Sequence, residues 1–169
     1  GGDLSGIQRY ITAIVSKGAA KNLKGRSFYL HMLTESVVTL ILDNLKLTRA
    51  NIVYASGGSF YLLAPNTASC KSEFEKTTKR IAYKIYSAHK NALALIMDYT
   101  EVSVEEMNQA NKCFDRLMEQ LEVKKRQKNP EIIQKEFKSF FEDGVDDGGS
   151  RRRDAISGEE ISDKEEGFY

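Results

Sequence analysis

Cysteine, histidine and long apolar runs are scarce in this sequence, and each scarcity removes a class of protein. The 169 residues hold two cysteines and two histidines. Cys70 and Cys113 stand without a C-x-x-C partner or a nearby histidine, which leaves neither a disulfide framework nor a zinc site and fits reduced thiols in a cytoplasm. His31 and His89 are isolated, so each reads as a helix-surface or packing residue rather than a metal ligand. The strongest apolar stretches, Val37 to Leu42 and Ala92 to Met97, fall far short of the roughly 20 residues that span a bilayer. The N-terminus has no basic-then-apolar signal pattern. A soluble, cytoplasmic protein with no membrane partner is expected.

What is present suffices for one domain and an appendage, with 41% hydrophobic residues to fill a core. The net charge of +1 conceals a division. Residues 142–169 carry ten acids against four bases, and residues 1–141 carry 21 bases against 14 acids. A basic body suits phosphate-bearing partners, although it is equally what a solvated surface looks like. The expected organisation is a domain over 1–141 followed by an acidic, glycine-rich, flexible extension over 142–169.

The apolar spacing predicts the elements. Ser5 and Gln8 read as a capping box opening a helix with Ile7, Tyr10, Ile11, Ile14 and Val15 on one stripe, ending at Ser16-Lys17-Gly18. A longer helix is expected from Arg26 to Leu45, with Phe28, Leu30, Leu33, Val37, Leu40, Ile41 and Leu45 on its apolar side. The period then changes: Ile52 to Ala55 and Phe60 to Ala64 flank Ser56-Gly57-Gly58-Ser59, a hairpin signal, and Pro65-Asn66 closes the second strand. A helix from Ser69 to Ala88 follows, and Ala92 to Tyr99 then reads as a strand buried on both faces. Ser103 and Glu106 form a capping box for a helix reaching Arg126, and Asn129-Pro130 opens a last one. Only Gly1 to Leu4 remain for a first strand, which implies a truncated strand and a chain excised from a longer one. The fold class expected is α+β, an α/β sandwich of ferredoxin-like type with extra helices and with its helices on one face of an antiparallel or mixed sheet.

In that arrangement Asp3, at the end of the first strand, faces the Ser56-Gly57-Gly58-Ser59 turn. Glycines let a phosphate approach backbone N–H groups, a helix starting near Gly6 adds partial positive charge, and a carboxylate such as Asp3 can hold Mg that bridges phosphates. Taken alone, the pair reads first as a tight turn and a helix cap, a lone Gly-Gly being a weak signal. Lys17, Lys21, Lys24 and Arg26 offer either triphosphate or domain contacts or a solvated basic segment. Lys124, Lys125, Arg126 and Lys128 read as cations suited to a helix C-terminus.

The run Gly2-Asp3-Leu4-Ser5-Gly6-Ile7-Gln8, the segment Ser16-Lys17-Gly18-Ala19-Ala20-Lys21 continuing to Leu23-Lys24-Gly25-Arg26-Ser27-Phe28-Tyr29-Leu30, and the hairpin Tyr54-Ala55-Ser56-Gly57-Gly58-Ser59-Phe60 resemble the first palm domain of the large subunit of type III-A (Csm-type) CRISPR effector complexes. The resemblance implies a protein with two facing palms that make cyclic oligoadenylates from ATP in antiviral defence, when the complex, which carries guide RNA, recognises target RNA. In that family the active hairpin reads Gly-Gly-Asp-Asp, and its two carboxylates hold catalytic metals. Here Ser59 and Phe60 stand in those places. The resemblance therefore implies a palm that binds ATP without catalysing, its contacts drawn from Asp3, Leu4, Ser5, Gly6, Arg26, Ser27, Ser56, Gly57, Gly58 and Ser59, with Mg at Asp3. Its partners would be the second palm of the full-length protein and the other effector subunits. The single-stranded DNA nuclease common in the family needs a His-Asp pair that this sequence does not show. The stretch Arg153-Asp154-Ala155-Ile156-Ser157-Gly158 resembles the entrance to the family's zinc module without its cysteines, so no zinc is expected. The alternatives are a stand-alone nucleotidyl cyclase, disfavoured by the missing carboxylate pair, and a scaffold that docks a neighbouring CRISPR subunit.

Overall fold

The computed structural model describes residues 1–12 and 19–127. Ile14, Val15, the Ser16-Lys17-Gly18 stop, Lys128, the helix expected from Asn129-Pro130 and the 142–169 extension lie outside the described residues. The chain builds β1 (Gly2–Ser5), α1 (Ile7–Thr12), α2 (Ala19–Leu45), a 3-10 turn (Arg49–Asn51), β2 (Ile52–Ser56), β3 (Ser59–Leu62), α3 (Ala68–His89), β4 (Ala94–Met97), a second 3-10 turn (Glu106–Gln109) and α4 (Ala110–Arg126). The strands form one sheet in the order β2-β3-β1-β4, with each neighbouring pair antiparallel. This is the ferredoxin-like split βαβ arrangement, in an α+β domain.

The first strand, expected as a remnant, is a central strand as long as β3 and β4, four residues each. It pairs with β4 from Gly2↔Met97 to Ser5↔Ala94 and with β3 at Gly2↔Phe60 and Asp3↔Ser59. Helix α2 begins at Ala19, ahead of the expected Arg26. Ala19, Ala20, Lys21, Leu23 and Lys24 are good helix formers, and together they outweigh Gly25, whose cost is about 1 kcal/mol relative to alanine. Leu30, Thr34, Val37, Val38, Ile41 and Leu42 form its buried stripe. Phe28, expected on that stripe, is 66% exposed, because a residue two positions before Leu30 points about 200° away from it around the helix.

Alternation along β4 explains why all four of its residues are buried. Leu95 and Met97 join Leu4, Phe60, Val38, Ile41, Ile81 and Ile85 in the main core beneath α2 and α3. Ala94 and Ile96 face the other way, onto Leu117 and Leu121 of α4, with Tyr61 packed alongside. The expectation of helices on one face is thus corrected: α4 covers the second face. The helix expected from Ser103 starts instead at Ala110, behind Gln109 with no side-chain cap, while the Ser103-Glu106 capping box forms ahead of the second 3-10 turn, Glu106 N–H donating to Ser103 Oγ at 3.3 Å and Ser103 N–H to Glu106 Oε2 at 2.9 Å. The other expected box does not, since Ser5 is drawn into β1 opposite Ala94 and α1 starts at Ile7, its first turn closed by Tyr10 N–H to the Gly6 carbonyl at 2.9 Å. Among the described residues no helix is long and apolar enough to cross a membrane.

Candidate functional site

Two residues turn the β2–β3 hairpin. Gly57 and Gly58 have φ of 64° and 90°, between the paired Ser56 and Ser59; positive φ at both central positions matches the right-handed twist of the flanking strands, and glycine adopts it without a side-chain penalty. The two glycines differ in surroundings. Gly57 is exposed and a Cβ there would meet nothing within 4 Å. Gly58 is buried, and a Cβ on it would overlap Ile7 Cδ1 and press on Leu4 Cβ at 3.3 Å. The Gly58 carbonyl accepts from Leu4 N–H at 2.9 Å. The turn is therefore fastened to the end of β1 and the start of α1 through its inner glycine, leaving the outer one open.

Asp3 lies opposite Ser59, one position in from the turn. The Ser59 hydroxyl donates to Asp3 Oδ1, and Lys125 Nζ, from the last turn of α4, stands 3.1 Å from Asp3 Oδ2. Lys125 also meets Glu122 Oε1 at 2.5 Å, one helical turn back. Its pKa is raised above the ordinary lysine value, first by the hydrogen bond to Glu122 and then by Asp3, with partial burial opposing. The Tyr61 phenol is pushed up as well, by burial first and by the Asp3 charge second. The Asp3 and Lys125 side chains are each about a quarter exposed, 22% and 24%.

The structure thus brings together Asp3, Ser56, Gly57, Gly58 and Ser59, with Leu4 alongside, 4% exposed as a residue and its N–H given to the Gly58 carbonyl. Ser5 and Gly6 follow directly, Gly6 at φ 98° with its Cα against the Ala92 carbonyl. Arg26 sits elsewhere: it is 6% exposed, donates from Nη1 to the Tyr10 carbonyl and lies 5.2 Å over the Tyr10 ring. Its guanidinium is committed to packing α1 against α2. Ser27 is exposed on α2. Phe60, in the place of a possible second carboxylate, is 1% exposed in the core.

Mg at Asp3 does not fit this donor set. Magnesium demands near-octahedral oxygen ligands, whereas both Asp3 oxygens are engaged by protein donors, Oδ1 by the Ser59 hydroxyl and Oδ2 by the Lys125 ammonium. Among the described residues no group of three or more His, Cys, Asp or Glu converges as a metal site. Nor is the turn part of the lining of two cavities among the described residues. One, of about 460 Å³, is lined by Phe60, Tyr61, Leu63, Phe74, Tyr99 and Phe114 among others; the other, of about 750 Å³, lies between α3, β4 and α4. The tip is exposed at Ser56 and Gly57 only, with Gly58 buried beneath them, and nothing stands within 4 Å of a Cβ on Gly57. Lys125 is the site residue that sequence reasoning missed. Its local context, three bases in a last helical turn, advertises only a cap, and its approach to Asp3 depends on which sheet face α4 covers.

A family model described as Csm1 subunit domain B matches residues 1–143. The CRISPR system single-strand-specific deoxyribonuclease Cas10/Csm1 (subtype III-A) of Thermococcus onnurineus is 34% identical over 149 residues, covering 85% of this chain and 18% of that protein. The protein of the same description from Methanocaldococcus jannaschii is 30% identical over 173 residues, covering 99% of this chain and 21% of its own length. The chain therefore spans about a fifth of the length of these relatives. Among solved structures, the Csm1-Csm4 cassette in complex with one ATP superposes with a TM-score of 0.72 at 35% identity, over 83% of this chain and 19% of that one.

Proposed function

The chain belongs to the Csm1 subunit domain B family, and from that premise we propose that it is the nucleotide-holding palm of a type III-A CRISPR large subunit, with no catalytic metals of its own. The Gly57-Gly58 rim supports this most directly. Two positive-φ glycines let a phosphate come within hydrogen-bonding distance of backbone N–H groups, and the outer one is open. The residues after them, Ser59 and Phe60, supply a hydroxyl and a buried ring where two-metal chemistry needs carboxylates. That the similar Csm1-Csm4 cassette has been crystallised with ATP supports ATP as the ligand.

In this proposal a second palm of the full-length protein closes the open side of the rim, brings its own carboxylate-held metals and carries out nucleotidyl transfer to cyclic oligoadenylates. This chain positions one ATP for that reaction through Asp3, Leu4, Ser5, Gly6 and the Ser56–Ser59 turn, with Ser27 as a direct contact from the exposed side of α2 and Arg26 acting indirectly through the α1–α2 packing. A Csm4-type subunit, guide RNA and target RNA are the partners of the assembled complex. The single-stranded DNA nuclease of the relatives' description belongs, on this reading, to other parts of the full-length protein. The test is to give the purified chain ATP and Mg and to measure binding by calorimetry and product by chromatography. Weak saturable binding, Kd near about 1 mM or −4 kcal/mol, with no oligoadenylate is expected. Robust synthesis would overturn the division of labour and favour an independent cyclase; no binding would favour a scaffold.

A further inference from the structure

A carboxylate beside a phosphate site is the ordinary place for a divalent cation, yet here the place is taken. Asp3 receives the Ser59 hydroxyl on one oxygen and the Lys125 ammonium at 3.1 Å on the other. Ser59 is the residue that follows Gly58 in the turn, and Gly58 is itself hydrogen-bonded to Leu4, the residue after Asp3. A chain of contacts therefore runs from α4 through Lys125, Asp3 and Ser59 into the glycine turn. Glu122, one turn earlier on α4, fixes the ammonium from the other side at 2.5 Å. Two carboxylates around one lysine leave a compact cluster in which the cation is supplied by the protein.

We propose that Lys125 is the resident cation of the turn: it fills the place a divalent ion would take at Asp3 and, through Asp3 and Ser59, sets the position of Gly57 and Gly58. Lys125 is a positioning residue, acting on the turn through Asp3. This deepens the nucleotide-holding reading and rests on it for its consequence, that the half-site on this chain engages a triphosphate without a metal of its own. Raised basicity of Lys125 agrees with an ammonium held between two carboxylates.

The experiment uses the isotopically labelled 169-residue chain and backbone amide NMR, with Mn(II) as the probe. In the unaltered chain, Mn(II) is expected to leave the Asp3, Ser59 and Lys125 amide signals intact; their selective loss would overturn the proposal. Lys125→Met keeps the aliphatic stem and removes the charge. It is expected to shift the Gly57 and Gly58 amides and to make the Asp3 and Ser59 signals sensitive to Mn(II), while Lys125→Arg restores the unaltered spectrum and its Mn(II) resistance. A purely space-filling role would leave Met and Arg equivalent, and that result also overturns the proposal. Should Lys125→Met fail to fold, Glu122→Gln, which loosens the ammonium from outside, is expected to give the same shifts at smaller amplitude, and unchanged Gly57 and Gly58 signals would count against the proposal. ATP is absent from these readouts, so a chain that bound no ATP would refute the nucleotide reading while the metal titration decided this one.

Discussion

Two adjacent glycines make the sharpest residue-level contrast. Both have positive φ, so any other residue pays roughly 1–2 kcal/mol of backbone strain at either position. Only Gly58 adds a collision, with Ile7 and Leu4. We expect Gly57→Ala to cost about 1 kcal/mol and Gly58→Ala about 2–3 kcal/mol in urea unfolding, with equal costs arguing against the inner glycine as the fastening point. His89 offers a second test. It is 6% exposed, within 2.7 Å of the Tyr29 hydroxyl, and burial holds its pKa below the ordinary 6.5. As pH falls below 6.5 the unfolded chain takes up a proton that the folded chain refuses, so stability must decline, with a slope of at most about 1.4 kcal/mol per pH unit from this group. His89→Gln should flatten the stability profile between pH 7 and 5; an unchanged slope would show that other groups set it.

At the scale of elements, the sequence was readable where local chemistry decides and opaque where tertiary packing does. The hairpin was legible because paired glycines between short β-branched and aromatic runs admit few alternatives, and the Ser103-Glu106 box because both of its hydrogen bonds are local. Ser5 misled: its spacing to Gln8 suits a cap, but the pairing of β1 with β4 claims it as a strand residue. The α2 start was missed because Gly25 and clustered lysines resemble a loop when helix propensity is judged residue by residue. The local signals for α4 do not say which sheet face it meets, although the continuous apolar character of β4 already requires cover on both. That cover can be weighed. Leu121 is 0% exposed against Ala94 and Ile96, and Leu121→Ala should cost about 2–4 kcal/mol. Because α4 carries Lys125, the same substitution should also shift the Gly57 and Gly58 amides if α4 holds the turn; a stability loss with an unmoved turn would separate the two roles.

For the molecule as a whole, the sheet presents its glycine rim at one end and leaves it unenclosed, while covering both faces with helices. A domain so built can contribute one wall of a nucleotide site. Its candidate carboxylate is neutralised from within, and the position after Ser59 is filled by a core phenylalanine, which is why the proposed function assigns the chemistry to a facing domain. The candidate site was legible in the sequence only as a turn and a lone acid; the lysine that completes it emerges when α4 folds across the sheet. Titrating the labelled chain with ATP and following its backbone amides tests the central claim most directly. The account predicts saturable shifts confined to Gly57, Gly58, Ser59 and their neighbours in β1, weakening with added salt as screened phosphate contacts must. Shifts that spare the turn and gather instead around the apolar cavity of Tyr61, Phe74 and Phe114, or no shifts at all, would contradict it.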